Sequence, residues 1–301
     1  MSKPASHLDL DALRDALVRV EGTCDIGARL AIDPVGIVRR FQRPEDIELV
    51  GLLASCLAFG NVKALHASIE GALDRLGPDL PAALDDPKAA RRALRGFRHR
   101  MVQGDDIAGV LIGARRLQRA HGSLGAAFAL RLKEAGGLRE GLARWVADLR
   151  REGGLDAASG GTRRGPAHVL PDPNKASGCK RLLLYLRWMV RPDDGVDLGL
   201  WSSMVPASVL QIPVDTHVLR LARNLGMTRS AAASWRASEE ITGVLRRIAP
   251  ADPVRYDFAL CHLGMARSCP SRRDEQHCSA CAIRGACIHV RPGRRADRSR
   301  P

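Results

Sequence analysis

Apolar residues recur along this chain at helical spacing far more often than in strand-like alternation. Leu8, Leu10, Leu13, Leu17 and Val20 lie largely on one side of a first predicted helix, with Asp and Arg opposite. Arg43-Pro44 signals a turn, and a helix is predicted over Glu45 to Phe59. Glu45, Asp46 and Glu48 stand in its first turn, where acidic side chains suit the helix dipole. Its body, Leu49 to Phe59, is apolar nearly all round, the mark of a buried helix. Gly60-Asn61 breaks it, and Val62 to Leu76 forms the next. The same period runs through Leu94 to Arg100, Asp105 to His121, a segment holding Phe128, Leu130 and Leu132, and Leu138 to Leu149. Arg151 to Ala167 carries Gly153-Gly154, Ser159-Gly160-Gly161 and Arg163-Arg164-Gly165-Pro166, and reads as a flexible basic loop. Arg181 to Arg191 is a further predicted helix. After Ile212-Pro213-Val214-Asp215-Thr216-His217, residues Val218, Leu221, Ala222 and Leu225 define another, which Gly226 stops. The fold class expected is all-α.

Composition narrows the partners. The chain has 301 residues, with 47 Lys and Arg against 33 Asp and Glu, a net charge of +14. That excess points to an anionic polymer, most simply nucleic acid. An Arg-rich composition produces the same excess without any partner. No apolar run is long enough to span a bilayer, and Met1 to Ser6 lacks the apolar core of a signal peptide. A cytoplasmic protein with no membrane partner is expected. The tail, residues 291–301, holds five Arg and one Asp, and is expected to be disordered.

Three stretches carry chemistry. Asp215 sits where an N-cap belongs, its carboxylate placed to accept from the first free N–H groups of the following helix. Ser177 is a plausible cap for the helix over Arg181 to Arg191, which puts Lys180 in the first turn, on a face with Leu184, Arg187 and Arg191. The positive end of the dipole and the neighbouring Arg181 both disfavour an ammonium there and favour the neutral amine that a nucleophile needs. A phosphate contact or a solvated charge is the plainer role for such a lysine. Cys269, Cys278, Cys281 and Cys287 follow a C-x8-C-x2-C-x5-C spacing, close enough for four thiolates to close on one metal centre. By spacing alone, a four-cysteine zinc site and an iron–sulfur cluster are nearly equal. Cys261 reads as core, as do Trp188, Trp201 and Trp235, although any of these Trp could stack on a base.

Val214-Asp215-Thr216-His217, then a helix, then the cysteine cluster, resembles the helix-hairpin-helix DNA glycosylases, endonuclease III in particular. The stretch Lys180-Arg181-Leu182 to Leu186-Arg187-Trp188-Met189-Val190-Arg191, with the same Val-Asp-Thr-His, is similar to a bacterial family filed as a domain of unknown function. The resemblance implies two helical lobes around a DNA cleft: residues 45–205 as one, residues 1–44 plus 206–290 as the other. It implies a monomeric DNA base-excision glycosylase, with lyase activity on abasic sites in duplex DNA. Asp215 would be the catalytic carboxylate, and Lys180 the nucleophile at C1′ of the damaged nucleoside. Lys180 lies 215 − 180 = 35 residues before Asp215, which is more similar to the archaeal 8-oxoguanine glycosylases. Lys175, nearer the hairpin, competes for that role or contacts DNA. The cysteines would hold a [4Fe–4S] cluster, with Zn2+ as alternative. Its loop, bearing Arg272 and Arg273, would meet the DNA backbone together with Arg181. The Gly60-Asn61-Val62 loop would face the base stack, with Asn61 against DNA; a plain turn explains it equally well. The family hairpin has Gly at its turn, whereas Asp172-Pro173-Asn174 stands here, with one donor fewer and a carboxylate that repels phosphate. A non-enzymatic iron–sulfur DNA-binding protein on the same fold is the other function these motifs allow.

Overall fold

In the computed structural model of the chain, residues 8–158, 164–175, 177–265, 269 and 274–288 are described. Among them the protein is mostly helical, with one short antiparallel hairpin as its sheet. The elements that position the site are α1 (Leu10–Gly22), α2 (Pro44–Leu57), α3 (Val62–Leu76), α4 (Pro87–Ala93), β1 (Arg98–His99), β2 (Val102–Gln103), α5 (Gly104–His121), α6 (Leu124–Ala135), α7 (Leu138–Glu152), α8 (Lys180–Val190), α9 (Thr216–Asn224), α10 (Trp235–Ile248) and α11 (Asp257–Met265). No helix among the described residues is long and apolar enough to cross a membrane.

The apolar run in α2 does bury: every residue from Glu48 to Leu57 is enclosed, packed chiefly against α5 and α8. Glu48 does not serve its own helix dipole, as its place in the sequence suggests. Its carboxylate reaches the start of α6, where it accepts from the backbone N–H groups of Leu124 at 2.9 Å and Gly125 at 3.0 Å. Gln118 Nε2 at 2.8 Å and Trp201 Nε1 at 2.7 Å complete the set. A buried carboxylate is tolerable here because four donors and a helix N-terminus replace its water. Beside it Phe128, Trp145, Tyr185 and Trp201 stack and edge-pack at 5.3–6.4 Å between centroids. Trp188 and Trp235 are likewise buried, so these tryptophans are core side chains.

Two sequence expectations need correction. Leu94 to Arg100 is not a helix. Gly96 takes φ +78°, and the chain then turns into the β1–β2 hairpin, whose tip holds Arg100 at φ +54°. The stretch 151–167 is not all loop: α7 runs to Glu152, and Leu155–Ala158 and Gly165–Val169 are helical turns. Pro166 sits in the first turn of the second of these, where its missing N–H costs nothing.

The second packing group joins distant parts of the sequence. α9 lies against α11, and α1 packs on α11 and α10. Gly264 permits the first contact, since a Cβ there would stand 2.8 Å from His217 Cβ. Arg19 Nε donates to Ala282 O at 3.2 Å, tying α1 to the cysteine-bearing segment. α8 runs between the groups. Its Tyr185 donates to Glu48 O at 3.1 Å on one side, and its Arg187 meets Asp257 of α11 on the other.

Candidate active site

α8 starts one residue earlier than its sequence suggests, and Lys180 is its first helical residue. Ser177 is not the cap. The N-cap position is Cys179, held in the left-handed region at φ +49°, and Ser177 Oγ accepts from the Cys179 N–H at 3.1 Å. A non-glycine residue in that region costs on the order of 1–2 kcal/mol, a strain that tends to persist where a site needs it.

Asp215 is an N-cap and more. One carboxylate oxygen accepts from His217 N at 2.8 Å and Val218 N at 2.9 Å, at the start of α9. The other lies 3.0 Å from Lys180 Nζ. Residues far apart in sequence thus form one ion pair, with side chains 32% and 19% exposed. The pair is open enough for a ligand to reach it and enclosed enough for its charges to feel one another.

The electrostatics reverse the expectation of a neutral amine. Burial works against the Lys180 ammonium, but the Asp215 carboxylate outweighs burial, and the amine holds its proton above the ordinary lysine range. Burial likewise works against the Asp215 carboxylate, and the Lys180 charge and the Val218 N–H outweigh it, leaving the group below its ordinary value. Arg181, expected to destabilise the ammonium, turns elsewhere. Its guanidinium donates to Cys56 O at 2.8 Å and to His168 O, and lies 4.8 Å from the Phe59 ring centroid.

The pair sits in the wall of a pocket of about 410 Å3, within the range of roughly 300–1,000 Å3 usual for small-ligand sites. Phe59 and Phe258 supply apolar wall, and Asp33, Arg187, Asp257 and His262 supply polar wall. Arg187 Nη1 bonds Asp257 Oδ2 at 2.5 Å, yet Arg187 Nη2 and Asp257 Oδ1 are buried with no hydrogen-bond partner among the described residues. His262 Nδ1 is likewise buried without a partner among the described residues, while its Nε2 is 3.4 Å from Asp33 Oδ2. Burial raises the Asp257 carboxyl to about 6 against the pull of Arg187. Buried polar atoms left unpaired cost free energy, so such a wall suits a polar occupant. Cys261 lines this pocket as well, and is not plain core. Burial, with Asp215 and Asp257 nearby, pushes its thiol well up, which favours the thiol over the thiolate.

The remaining expected residues fall elsewhere. Asn61 caps α3, accepting from Lys63 N at 2.9 Å and Ala64 N at 3.3 Å, while its neighbours Gly60 and Val62 edge the pocket. Lys175 is exposed, in the turn after Asp172. There Asp172 Oδ1 accepts from Asn174 N at 2.9 Å, so the turn satisfies one of its own amides with its own carboxylate. Arg191 shares the α8 face but is buried, bonded to Asp197, Asp252 and Asp194. Arg272 and Arg273 lie outside the described residues, as does the 291–301 tail.

Of the four clustered cysteines, Cys269 and Cys287 are buried and Cys278 and Cys281 half-buried. Asn224 Nδ2 lies 3.2 Å from Cys269 Sγ, and Cys281 N donates to Cys278 O at 3.4 Å. Burial raises the Cys281 thiol, and Cys269 and Cys278 add to the rise. A donor aimed at sulfur and neighbouring thiols in mutual electrostatic range fit a metal-thiolate centre. Among the described residues, no group of three possible ligands stands ready around a single metal position.

Asp33, Arg187, Asp257 and His262 escaped the sequence reading because no motif links them. One local signal was present: Arg187 and Asp257 are charges set within apolar runs, Leu182 to Val190 and Val254 to Leu260.

A family model described as Protein of unknown function (DUF2400) matches residues 33–266. The chain belongs to the DUF2400 family. The matched span takes in the lining residues of the pocket from Asp33 to Met265, leaving out Ile32, and stops short of the four cysteines. No curated protein gives a match, and no solved structure does.

Proposed function

We propose that this DUF2400 chain is a DNA base-excision glycosylase acting on duplex DNA, with lyase activity at the resulting abasic site. The observation that carries the reading is the 3.0 Å contact of Lys180 Nζ with Asp215 Oδ2 in the wall of the pocket. A base extruded from the duplex occupies the pocket, its polar edge answering the unpaired atoms of Arg187, Asp257 and His262. As the glycosidic bond breaks, its electron pair leaves with the base, and the Asp215 carboxylate stabilises the positive charge on the sugar. Lys180 must first give up its ammonium proton. Asp215 takes that proton and passes it to the departing base, so that the carboxylate is again an anion as it faces the sugar cation. The freed amine then bonds C1′; the C1′–O4′ bond opens, the ring oxygen taking up the second amine proton and leaving a C1′ imine, and loss of a C2′ proton expels the 3′ phosphate and cuts the strand. The resting pair holds the nucleophile protonated until a substrate disturbs it, and a base filling the pocket excludes the water that screens the pair.

In the same reading the two packing groups are the lobes of a helix-hairpin-helix glycosylase. Cys269, Cys278, Cys281 and Cys287 hold a [4Fe–4S] cluster, or Zn2+, that cross-links the C-terminal segment. Anaerobically purified protein should be brown, with about four irons per chain; colourless protein holding one zinc rejects the cluster and keeps the site.

The decisive experiment is borohydride reduction in the presence of an abasic duplex, which captures a Schiff-base enzyme covalently. The raised Lys180 pKa favours a second reading, a DNA-binding protein whose Lys180–Asp215 pair is structural. Binding of the same duplex with no capture selects it.

A further inference from the structure

A groove of about 710 Å3 lies on the far side of the β1–β2 hairpin from the pocket, walled by α4, the turn after it and the start of α5. Its lining holds Lys88, Arg91, Arg92, Arg95 and Arg98, with Asp105 as the single carboxylate. Arg91 is committed to Gly153 O at 2.8 Å. Arg98 donates to Arg100 O at 3.1 Å. Lys88, Arg92 and Arg95 are exposed; none makes a salt bridge among the described residues, and the nearby Asp86, which caps α4, feels the charges of Arg92 and Lys88. The contrast with the next turn of the fold is direct: Arg115 and Arg119 share Asp85 at 2.9 and 3.4 Å. Like charges gathered in a concave surface repel one another and focus field outward, which favours an anion laid along the groove.

The hairpin joins this groove to the pocket mouth. Successive strand residues face opposite ways. Arg98 and Gln103 therefore face the groove, while His99 and Val102 turn inward. His99 Nε2 lies 3.1 Å from Phe59 O, and the Arg100 guanidinium at the tip lies 6.0 Å from the Phe59 ring, which is pocket wall. Met101, beside it at the tip, is 49% exposed. The hairpin thus places Arg98 in the groove and Arg100 beside Phe59 and Gly60 at the edge of the pocket.

We infer that this groove holds the sugar–phosphate backbone of the DNA flanking the nucleotide in the pocket, with Lys88, Arg92 and Arg95 as phosphate contacts. The inference takes DNA as the partner from the reading above. Phosphate contacts of this kind fix position without reading sequence, so the groove sets affinity and register and leaves lesion preference to the pocket.

The test is the triple variant Lys88→Gln, Arg92→Gln, Arg95→Gln, studied in the full chain with an abasic duplex. The slope of log affinity against log salt should fall by about 2.7 relative to the parent, from about 0.9 for each of three phosphate contacts. Removing two exposed charges elsewhere, Lys133→Gln and Arg247→Gln, should change the slope by less than half as much per charge. Unchanged melting of each variant establishes that the fold is intact. Borohydride capture at saturating DNA and low salt should match the parent for the triple variant, since no catalytic group is touched. An unchanged slope, or an equal loss per charge in the two variants, overturns the groove assignment while capture leaves the glycosylase reading in place. A lost slope with no capture by the parent protein keeps the groove and removes the glycosylase.

Discussion

Helix α8 carries two cation–carboxylate systems about two turns apart, and they differ in almost everything except charge. Arg187 is 3% exposed and shared between Asp197, 0% exposed, and Asp257, 3% exposed. Arg191, one turn on, joins the same Asp197. Lys180 is 32% exposed and has one carboxylate, itself 19% exposed. A guanidinium offers a rigid fork of donors and stays charged when enclosed, so it suits a buried network with several acceptors. An ammonium on a flexible stem makes a single contact and can lose its proton, which suits a pair that must come apart. Burial and multiplicity therefore separate the scaffold from the candidate chemistry on one helix. The wall between them is mixed: Asp257 is bonded to Arg187 through one oxygen and also lines the pocket, although it is almost wholly enclosed.

The comparison breaks most sharply at Lys180. Lys180→Gln should abolish borohydride capture of abasic DNA entirely, while folding stability changes by no more than about 1 kcal/mol, the usual worth of a pair that solvent still reaches. Denaturant titration and the capture assay run on one preparation check both halves. Capture that persists in Lys180→Gln and vanishes in Lys175→Gln moves the nucleophile to the exposed turn.

Arg187→Ala is the opposite case. It strands the enclosed Asp257 and leaves Asp197 to Arg191 alone, and a cost of about 3–5 kcal/mol is expected in chemical denaturation. A loss near that of Lys180→Gln would mean the two systems do not differ as their burial indicates.

Asp215→Asn sharpens the comparison from the carboxylate side. Asn remains a good N-cap, so stability should hold to within about 1 kcal/mol, while base removal slows by roughly a hundredfold or more as the charge facing the sugar is lost. Parent-like single-turnover rates would reduce Asp215 to a cap.

The smallest effect concerns pH. Asp257 titrates near 6 because burial raises it, so the folded state binds its proton more readily than the unfolded state does. Its stabilising contribution is complete below the ordinary aspartate value, near pH 4, and is lost as pH rises through about 6. Asp215, held below its ordinary value, contributes with the opposite sign, above pH 4. Asp257→Asn should therefore remove a fall in stability between about pH 4 and 6, leaving a curve that rises more steeply with pH over that window. An identical pH dependence in parent and variant would place the Asp257 titration outside it.

Much of the local structure was legible in sequence. The helical period located α2, α3, α5, α7 and α9, because each buries an apolar face and the period follows from that burial. Asp215 was legible as a cap, since a cap is decided by residues next to one another. The hairpin was not: Leu94 to Phe97 carries apolar residues at helical spacing, and only the docking of His99 on Phe59 and Ser68 shows why the chain extends there. Ser177 misled because its hydroxyl serves the Cys179 amide, one residue short of the helix, and not an amide of the helix itself.

The sequence by itself determined the class of fold, the capped start of α9, the four-cysteine spacing and the excess of basic charge, all of which depend on residue type and short-range order. Only the tertiary structure decided that Lys180 meets Asp215, that the pair is charged at rest, and that Arg187, Asp257 and His262 turn unpaired atoms toward the same pocket. Those outcomes depend on how α8, α9 and α11 pack and how much water is excluded between them. Desolvation and the distance between charges set a pKa or an ion pair, and neither quantity exists until remote segments have been brought together.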